Sequence, residues 1–206
     1  MIKVKEFLSQ IYSHNVNFII IDGMAAISHG SKSLITADID ICYARDKENL
    51  EKIVKAISPF HPYLRGAPKN LPFIFDFKTL QAGLNFTPLH PEIKKTSSKM
   101  PRPSALAPNP VLNLIHGLIQ ERGVTGFTFS TDIGDIDLIG EIQGVGYYSD
   151  TLKYSEKMEI YEMQCHVLTI EGLIKSKKAA GRPKDEPVIK ELEALLEIRK
   201  QKGKNR

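Results

Sequence analysis

The chain has 206 residues, 42% apolar and 25% charged, with a formal net charge of +4 and a pI near 8.9. That composition excludes a disordered tail or a fibrous repeat and describes a globular chain long enough to bury its own core. The mild basicity permits a nucleotide or nucleic-acid partner without requiring one.

Two cysteines, Cys42 and Cys165, lie far apart without metal-ligand spacing. A disulfide framework and a zinc motif are therefore not expected. The opening "MIKVKEFLSQ" has its charges spread through it and reads as no signal peptide. No apolar run approaches the roughly 20 residues of a spanning helix. A cytoplasmic protein with no membrane partner is expected.

In chain order, "KVKEFLSQIYSH" places Val4, Phe7, Leu8, Ile11 and Tyr12 at helical spacing. "NFIII" is a continuous, β-branched run, as in a buried strand. "DGMAAISHG" reads as a glycine turn at Gly23, a short helix from Met24 to Ser28 and a stop at Gly30. "DIDICY" is a second strand. "DKENLEKIVKAIS" is an amphipathic helix capped by Asp46, with Leu50, Ile53, Val54 and Ile57 as its apolar stripe. "SPFHPYLRGAPKNLP" is irregular, and "GLNFT" and "FTFSTDIGDIDLIGEI" read as strands. "MEIYEMQCHVLTI" predicts a hairpin. "TIEGLIKSKKAAG" is a helix capped by Thr169 and stopped by Gly181. "EPVIKELEALLEIRK" is a last helix, and "QKGKNR" a frayed basic tail.

Residues 88–128 stand apart. They carry Pro88, Pro91, Pro101, Pro103, Pro108 and Pro110 and a helical run "VLNLIHGLIQERG", and the flanking "NFT" and "GFT" echo each other. Removing Pro88 to Thr128 leaves a cleaner pair of strands, so this stretch reads as an insertion that projects from the surface.

Carboxylates carry the chemistry. A strand alternates faces with period two, so Asp38 and Asp40 point one way while Ile39 and Ile41 point into the core. Asp135 and Asp137 repeat the pattern on a later strand. Carboxylates that converge in a partly dry site repel strongly, and a divalent cation cancels the repulsion. Magnesium takes hard oxygen ligands, and a two-metal site suits in-line displacement at phosphorus. The bland alternative is a charged solvent face on an edge strand.

The arrangement "IIIDGMAAISHG … TADIDICYARD … GDIDLIGEI" resembles the nucleotidyltransferase fold of the DNA polymerase β superfamily. It is most similar to the bacterial minimal and abortive-infection (AbiEii-like) nucleotidyltransferases. "ENLEKIVKAI", "LPFIFDFKTLQAGLNFT" and "LIKSKKAAGRPKDEPVIKELEALLE" extend the resemblance, and the stretch 88–128 lies outside it. The resemblance implies an α/β (α+β) fold with a mixed sheet, flanking helices and a C-terminal helical segment: a domain at 1–168, interrupted at 88–128, followed by 169–206. It implies that Asp38 and Asp40 hold two magnesium ions and that Asp137 completes the site, with Asp135 the competing candidate. Gly23 and Met24 would lie against a nucleoside triphosphate, at the start of the short helix. Lys177, Lys178, Arg182 and Lys184 would supply positive charge to the triphosphate or an RNA acceptor. Two positions depart from the family pattern: Asp22 stands where the first turn glycine is usual, and "SKSLITADID" offers Lys32 where an Arg is frequent.

His29 admits two roles, phosphate contact or helix cap. Cys42 reads as a small core residue. The Lys177–Lys184 stretch also suits a solvated helix end complementing the dipole, and Glu141 suits a strand-end surface position. The expected activity is transfer of a nucleoside monophosphate from a triphosphate to an acceptor hydroxyl on RNA such as tRNA, a protein or a small molecule. By resemblance this extends to a toxin or phage-defence role with an antitoxin partner. Asp22 and the insertion motivate a second reading, a member that binds nucleotide, RNA or a protein without turnover. A third, that the acidic strands are merely structural, predicts that Asp38, Asp40 and Asp137 do not converge.

Overall fold

The computed structural model describes residues 3–32, 36–67, 73–84 and 126–204. The expected insertion at 88–128, with its helical run, lies outside these residues except for Gly126 to Thr128, which open a strand. Nine strands are described: β1 (Phe18–Ile20), β2 (Asp38–Tyr43), β3 (Tyr63–Leu64), β4 (Gly126–Thr131), β5 (Gly134–Ile139), β6 (Glu141–Ile142), β7 (Gly146–Tyr147), β8 (Ser155–Ile160) and β9 (Met163–Leu168). The described helices are α1 (Val4–Ser13), α2 (Asp22–Ser28), α3 (Lys47–Ile57), α4 (Phe77–Leu84), α5 (Tyr148–Lys153), α6 (Ile170–Ala180) and α7 (Glu186–Lys204).

Seven strands form one mixed sheet in the order β3-β4-β5-β2-β1-β9-β8, and β6 pairs with β7 in a separate ribbon. β2 runs parallel to β5 and β1 parallel to β9, while the remaining neighbours are antiparallel. This is the expected α/β class, with helices on the sheet and a C-terminal helical segment.

Local chemistry explains most boundaries. α1 buries Phe7, Leu8 and Ile11 completely, each contributing about 1.5–3 kcal/mol on transfer from water. Asp46 caps α3 by accepting a 3.0 Å hydrogen bond from the Asn49 amide. Thr169 caps α6 through the Gly172 amide at 3.2 Å, and Gly181 ends it in the left-handed region at φ +61°. The β8–β9 hairpin turns through Tyr161 and Glu162, both at positive φ.

Two expectations are corrected. Gly83 and Leu84 of "GLNFT" close α4 and do not begin a strand. α4 itself is announced by Asp76, whose Oδ1 accepts from the Thr79 amide at 2.8 Å. The basic tail is not frayed at its start, because α7 continues through Lys204.

Helix α1 packs on α3, and α3 on α4; α2 packs against β2, β9 and α6, and α6 against α7. A buried amide ties the central strands together. Asn49 is 1% exposed, its Oδ1 accepts from the Asn17 amide at 2.7 Å, and its Nδ2 donates to the Ala44 carbonyl at 2.7 Å and the Asn17 carbonyl at 3.1 Å. The start of β1 is thereby locked to the end of β2, which fixes the strand carrying Asp38 and Asp40. Asn49→Ala should therefore destabilise the fold by upward of about 2 kcal/mol, since each stranded buried group costs about 1–3 kcal/mol; urea unfolding of the two proteins checks this.

Candidate active site

The site grows from one strand pairing. β2 and β5 run parallel with Asp38 opposite Asp135 and Asp40 opposite Asp137. Paired strands lie about 4.8 Å apart, and side chains two apart share a face. Four carboxylates therefore form a two-by-two array. The intervening Ile39 and Ile136 are fully buried on the other face. On the carboxylate face of β2, Cys42 Sγ lies 3.8 Å from Thr151 Oγ1 of α5. That helix covers the Cys42 end, while the Asp38 and Asp40 end opens into a cavity of about 730 Å³.

Asp38, Asp40 and Asp137 line this cavity, and Asp135 flanks them at the outer end of the array. The convergence that a purely structural role for these carboxylates would not require is present. Thr36 Oγ1 lies 2.9 Å from both the carbonyl and Oδ1 of Asp38, orienting that carboxylate. Gly23 also lines the cavity, and its hydrogen is required: a Cβ there would sit 2.9 Å from Thr36 Cβ and Oγ1.

Asp22 takes φ +47°. This left-handed conformation is free for glycine and tolerated by Asp. The residue thus satisfies the backbone demand of a glycine turn while adding a negative charge. Lys177 of α6 answers it. Its Nζ contacts Asp22 Oδ1 directly and lies 3.8 Å from Asp185 Oδ1, with the side chain only 8% exposed.

Arg182 and Lys184 also line the cavity, beyond the end of α6. Lys178 does not. One residue further round the helix than Lys177, it points outward and pairs with Glu193 at 2.6 Å. Met24 packs on the hydrophobic core, and neither it nor Lys32 is among the cavity-lining residues. Glu141 does line the cavity, from β6. His29 is a strut: its Nε2 is 2.8 Å from the Leu168 carbonyl, and its Nδ1 3.6 Å from Glu156. Burial pushes the Cys42 thiol up to about 11, as suits a core residue and not a nucleophile.

One participant was not anticipated. Arg65 follows β3, where its amide donates to the Thr128 carbonyl at 3.0 Å. Its side chain reaches over the array. Nη1 lies 3.4 Å from Asp38 Oδ2 and 3.3 Å from Asp135 Oδ2, and Nη2 bonds Asp137 Oδ1. Burial works against the charged guanidinium, but Asp137 and Asp135 outweigh it and hold Arg65 above its ordinary value.

Asp40 is in a different position. Its burial, and then the charges of Asp22, Asp137 and Asp38, raise its carboxyl well above the usual range, with Arg65 only partly opposing.

These residues suit a hard divalent cation by donor chemistry: oxygen ligands only, clustered, with an excess of negative charge. Among the described residues, however, no three or more His, Cys, Asp or Glu side chains stand so that together they could hold a metal ion. Arg65 sits between the carboxylates instead.

No family model and no curated protein matches the chain. Among solved structures, the chain is similar to a "putative nucleotidyltransferase" from Thermotoga maritima, at 14% identity over 93% of this chain and 94% of that one, with a TM-score of 0.49. Among the described residues, no helix is long and apolar enough to cross a membrane.

The raised Asp40 carboxyl has a signed consequence. A group whose folded value lies above its unfolded value stabilises the fold when protonated, and that contribution is lost as pH rises through the folded value. In metal-free buffer at pH 7, Asp40→Asn should therefore raise the melting temperature. The gain should shrink as pH falls toward the ordinary carboxylate value of 3.8; a thermal-melt series across pH checks it.

Proposed function

We propose that this protein is a magnesium-dependent nucleotidyltransferase, moving a nucleoside monophosphate from a nucleoside triphosphate to an acceptor hydroxyl. The observation that carries the proposal is the in-register array of Asp38, Asp40, Asp135 and Asp137 opening into a cavity that Lys177, Arg182 and Lys184 also line. Cations beside carboxylates are what a phosphoryl-transfer site needs: one set of groups for the anionic chain, one for the reacting oxygens.

Asp38, Asp40 and Asp137 would hold the cations, with Asp135 in reserve at the outer end. When bound, magnesium supplies the positive charge that lets an anionic triphosphate approach the acidic array. In the reaction, the acceptor oxygen forms a bond to the α-phosphorus, and the bond from that phosphorus to pyrophosphate breaks. The hydroxyl proton passes to a carboxylate of the array. Asp137 and Asp40, which both line the cavity, are the candidates for this role. Lys177, Arg182 and Lys184 would steady the triphosphate and the departing pyrophosphate. Gly23 would let the backbone come close to it, and the cavity of about 730 Å³ is within the usual range for a small-molecule site.

The sequence resemblance extends the proposal to tRNA or other RNA as acceptor and to a toxin or phage-defence role with an antitoxin partner. A cytoplasmic setting suits the two buried free cysteines.

A second reading has its own support. Arg65 is bonded to three of the four array carboxylates, and Asp22 is bonded to Lys177. Side chains of the chain itself thus occupy part of both charged halves of the site, as suits a member that binds nucleotide, RNA or a protein without turnover.

A labelling experiment separates the two. The protein, magnesium and each α-labelled triphosphate are incubated with total RNA and protein extract, alongside the double variant Asp38→Ala, Asp40→Ala. Transfer predicts label in a discrete band that falls by about a thousandfold or more in the variant, because the charge stabilisation removed is several kcal/mol. Absence of label with all four nucleotides favours the binding reading.

A further inference from the structure

We propose that Arg65 is the built-in counter-ion of the acidic array and competes with the divalent cation for it. The inference rests on the metal-binding part of the function proposed above and concerns how that site is regulated.

Three observations carry it. First, the guanidinium makes a many-sided contact with the array: Asp38 and Asp135 share Nη1, and Asp137 takes Nη2. These carboxylates belong to both parallel strands, so the positive charge lies between them, where a cation bridging β2 and β5 would also have to lie. Arginine and a cation bridging these oxygens cannot both have first claim on them.

Second, the arginine is poorly satisfied for a permanent structural ion pair. Its Nε is buried without a hydrogen-bond partner, and two of its three contacts are long, at 3.3 and 3.4 Å. A buried ion pair retained for stability alone needs its remaining donors bonded. Here one donor is left unpaired, which makes the position less favourable for the arginine to hold.

Third, Arg65 leaves the array incompletely neutralised. It makes no bond to Asp40, and Asp22, Asp137 and Asp38 still press on that carboxyl. Among the described residues, the guanidinium is bonded to three of the four carboxylates and leaves Asp40 outside its bonds.

The placement of Arg65 makes exchange mechanically simple. It sits in the turn after the two-residue strand β3, at the edge of the sheet, and is held there by its amide bond to Thr128. Its side chain can turn away from the array without breaking the β2–β5 ladder. Release would also leave a mobile cation at the rim of a cavity suited to an anionic substrate.

The test is direct binding of Mn²⁺, counted by the electron paramagnetic resonance signal of the free ion, for the wild-type protein and for Arg65→Gln and Arg65→Lys. Competition predicts that Arg65→Gln binds Mn²⁺ about tenfold to a hundredfold more tightly than wild type, the range expected for losing a charge-assisted competitor. Arg65→Lys should fall between. Melting curves run alongside in EDTA and in Mg²⁺ guard against an unfolded variant: Arg65→Gln should melt below wild type in EDTA and recover more than wild type does when Mg²⁺ is added.

Wild-type binding that is equal to or tighter than that of a folded Arg65→Gln overturns the competition and leaves the proposed function standing. Binding by Arg65→Gln but not by wild type supports the competition and contradicts magnesium-dependent turnover in the native chain. Binding by neither overturns both. If Arg65→Gln fails to fold even with Mg²⁺, Arg65→Lys decides: affinity no tighter than wild type overturns the competition.

Discussion

The parallel pairing of β2 with β5 is the constraint on which the rest of the molecule depends. Its register sets Asp38 beside Asp135 and Asp40 beside Asp137. Shifting that register by one residue would put the carboxylates against Ile39 and Ile136, which are fully buried, and the hydrophobic cost forbids it. The core therefore enforces the acidic array. Apolar side chains on one face hold in place a concentration of charge on the other that would otherwise push the strands apart.

The surrounding chain answers that charge with named residues. Arg65 comes from the β3 edge and Lys177 from α6, each bonded to carboxylates at the cavity. The arrangement is close to self-neutral without being comfortable. Asp40 keeps its proton-affine environment, and Arg65 keeps an unbonded Nε. Sites that bind charged ligands commonly carry such residual strain, because the ligand relieves it on arrival. Asp22 belongs to the same economy: its left-handed backbone meets the geometric need of a glycine turn, and its side chain gives Lys177 a partner.

How far this was legible in the sequence divides along local and non-local lines. Asp46, Thr169 and Gly181 punctuate their helices through contacts within a few residues, and the chain displays them openly. Strand β2 is legible too, because "DIDICY" has the right alternation and the right ends. That Asp38 and Asp40 share a face follows from strand geometry alone. That their strand lies parallel to and in register with the one carrying Asp135 and Asp137 does not, because it is decided by packing between segments almost a hundred residues apart. Arg65 escaped for the same reason. It stands in a Pro-rich stretch with no local pattern, and its role exists only because β3 lies beside β4. Helix α4 was missed although Asp76 and Thr79 form a cap, since "GLNFT", into which the helix runs, reads as a strand. Lys177 and Lys178 could not be told apart by charge, and only the seating of α6 on α2 and α7 turns one inward and the other out.

The most direct measurement of the central idea is a crystal structure of the protein grown with Mn²⁺ and a non-hydrolysable nucleoside triphosphate analogue, with anomalous scattering used to locate the metal. The expected result is an anomalous peak within ligand distance of Asp38, Asp40 and Asp137, with the triphosphate running toward Lys177 and Arg65 turned off the array. A cavity without an anomalous peak, with Arg65 still bonded to Asp38, Asp135 and Asp137 at saturating Mn²⁺, would contradict it.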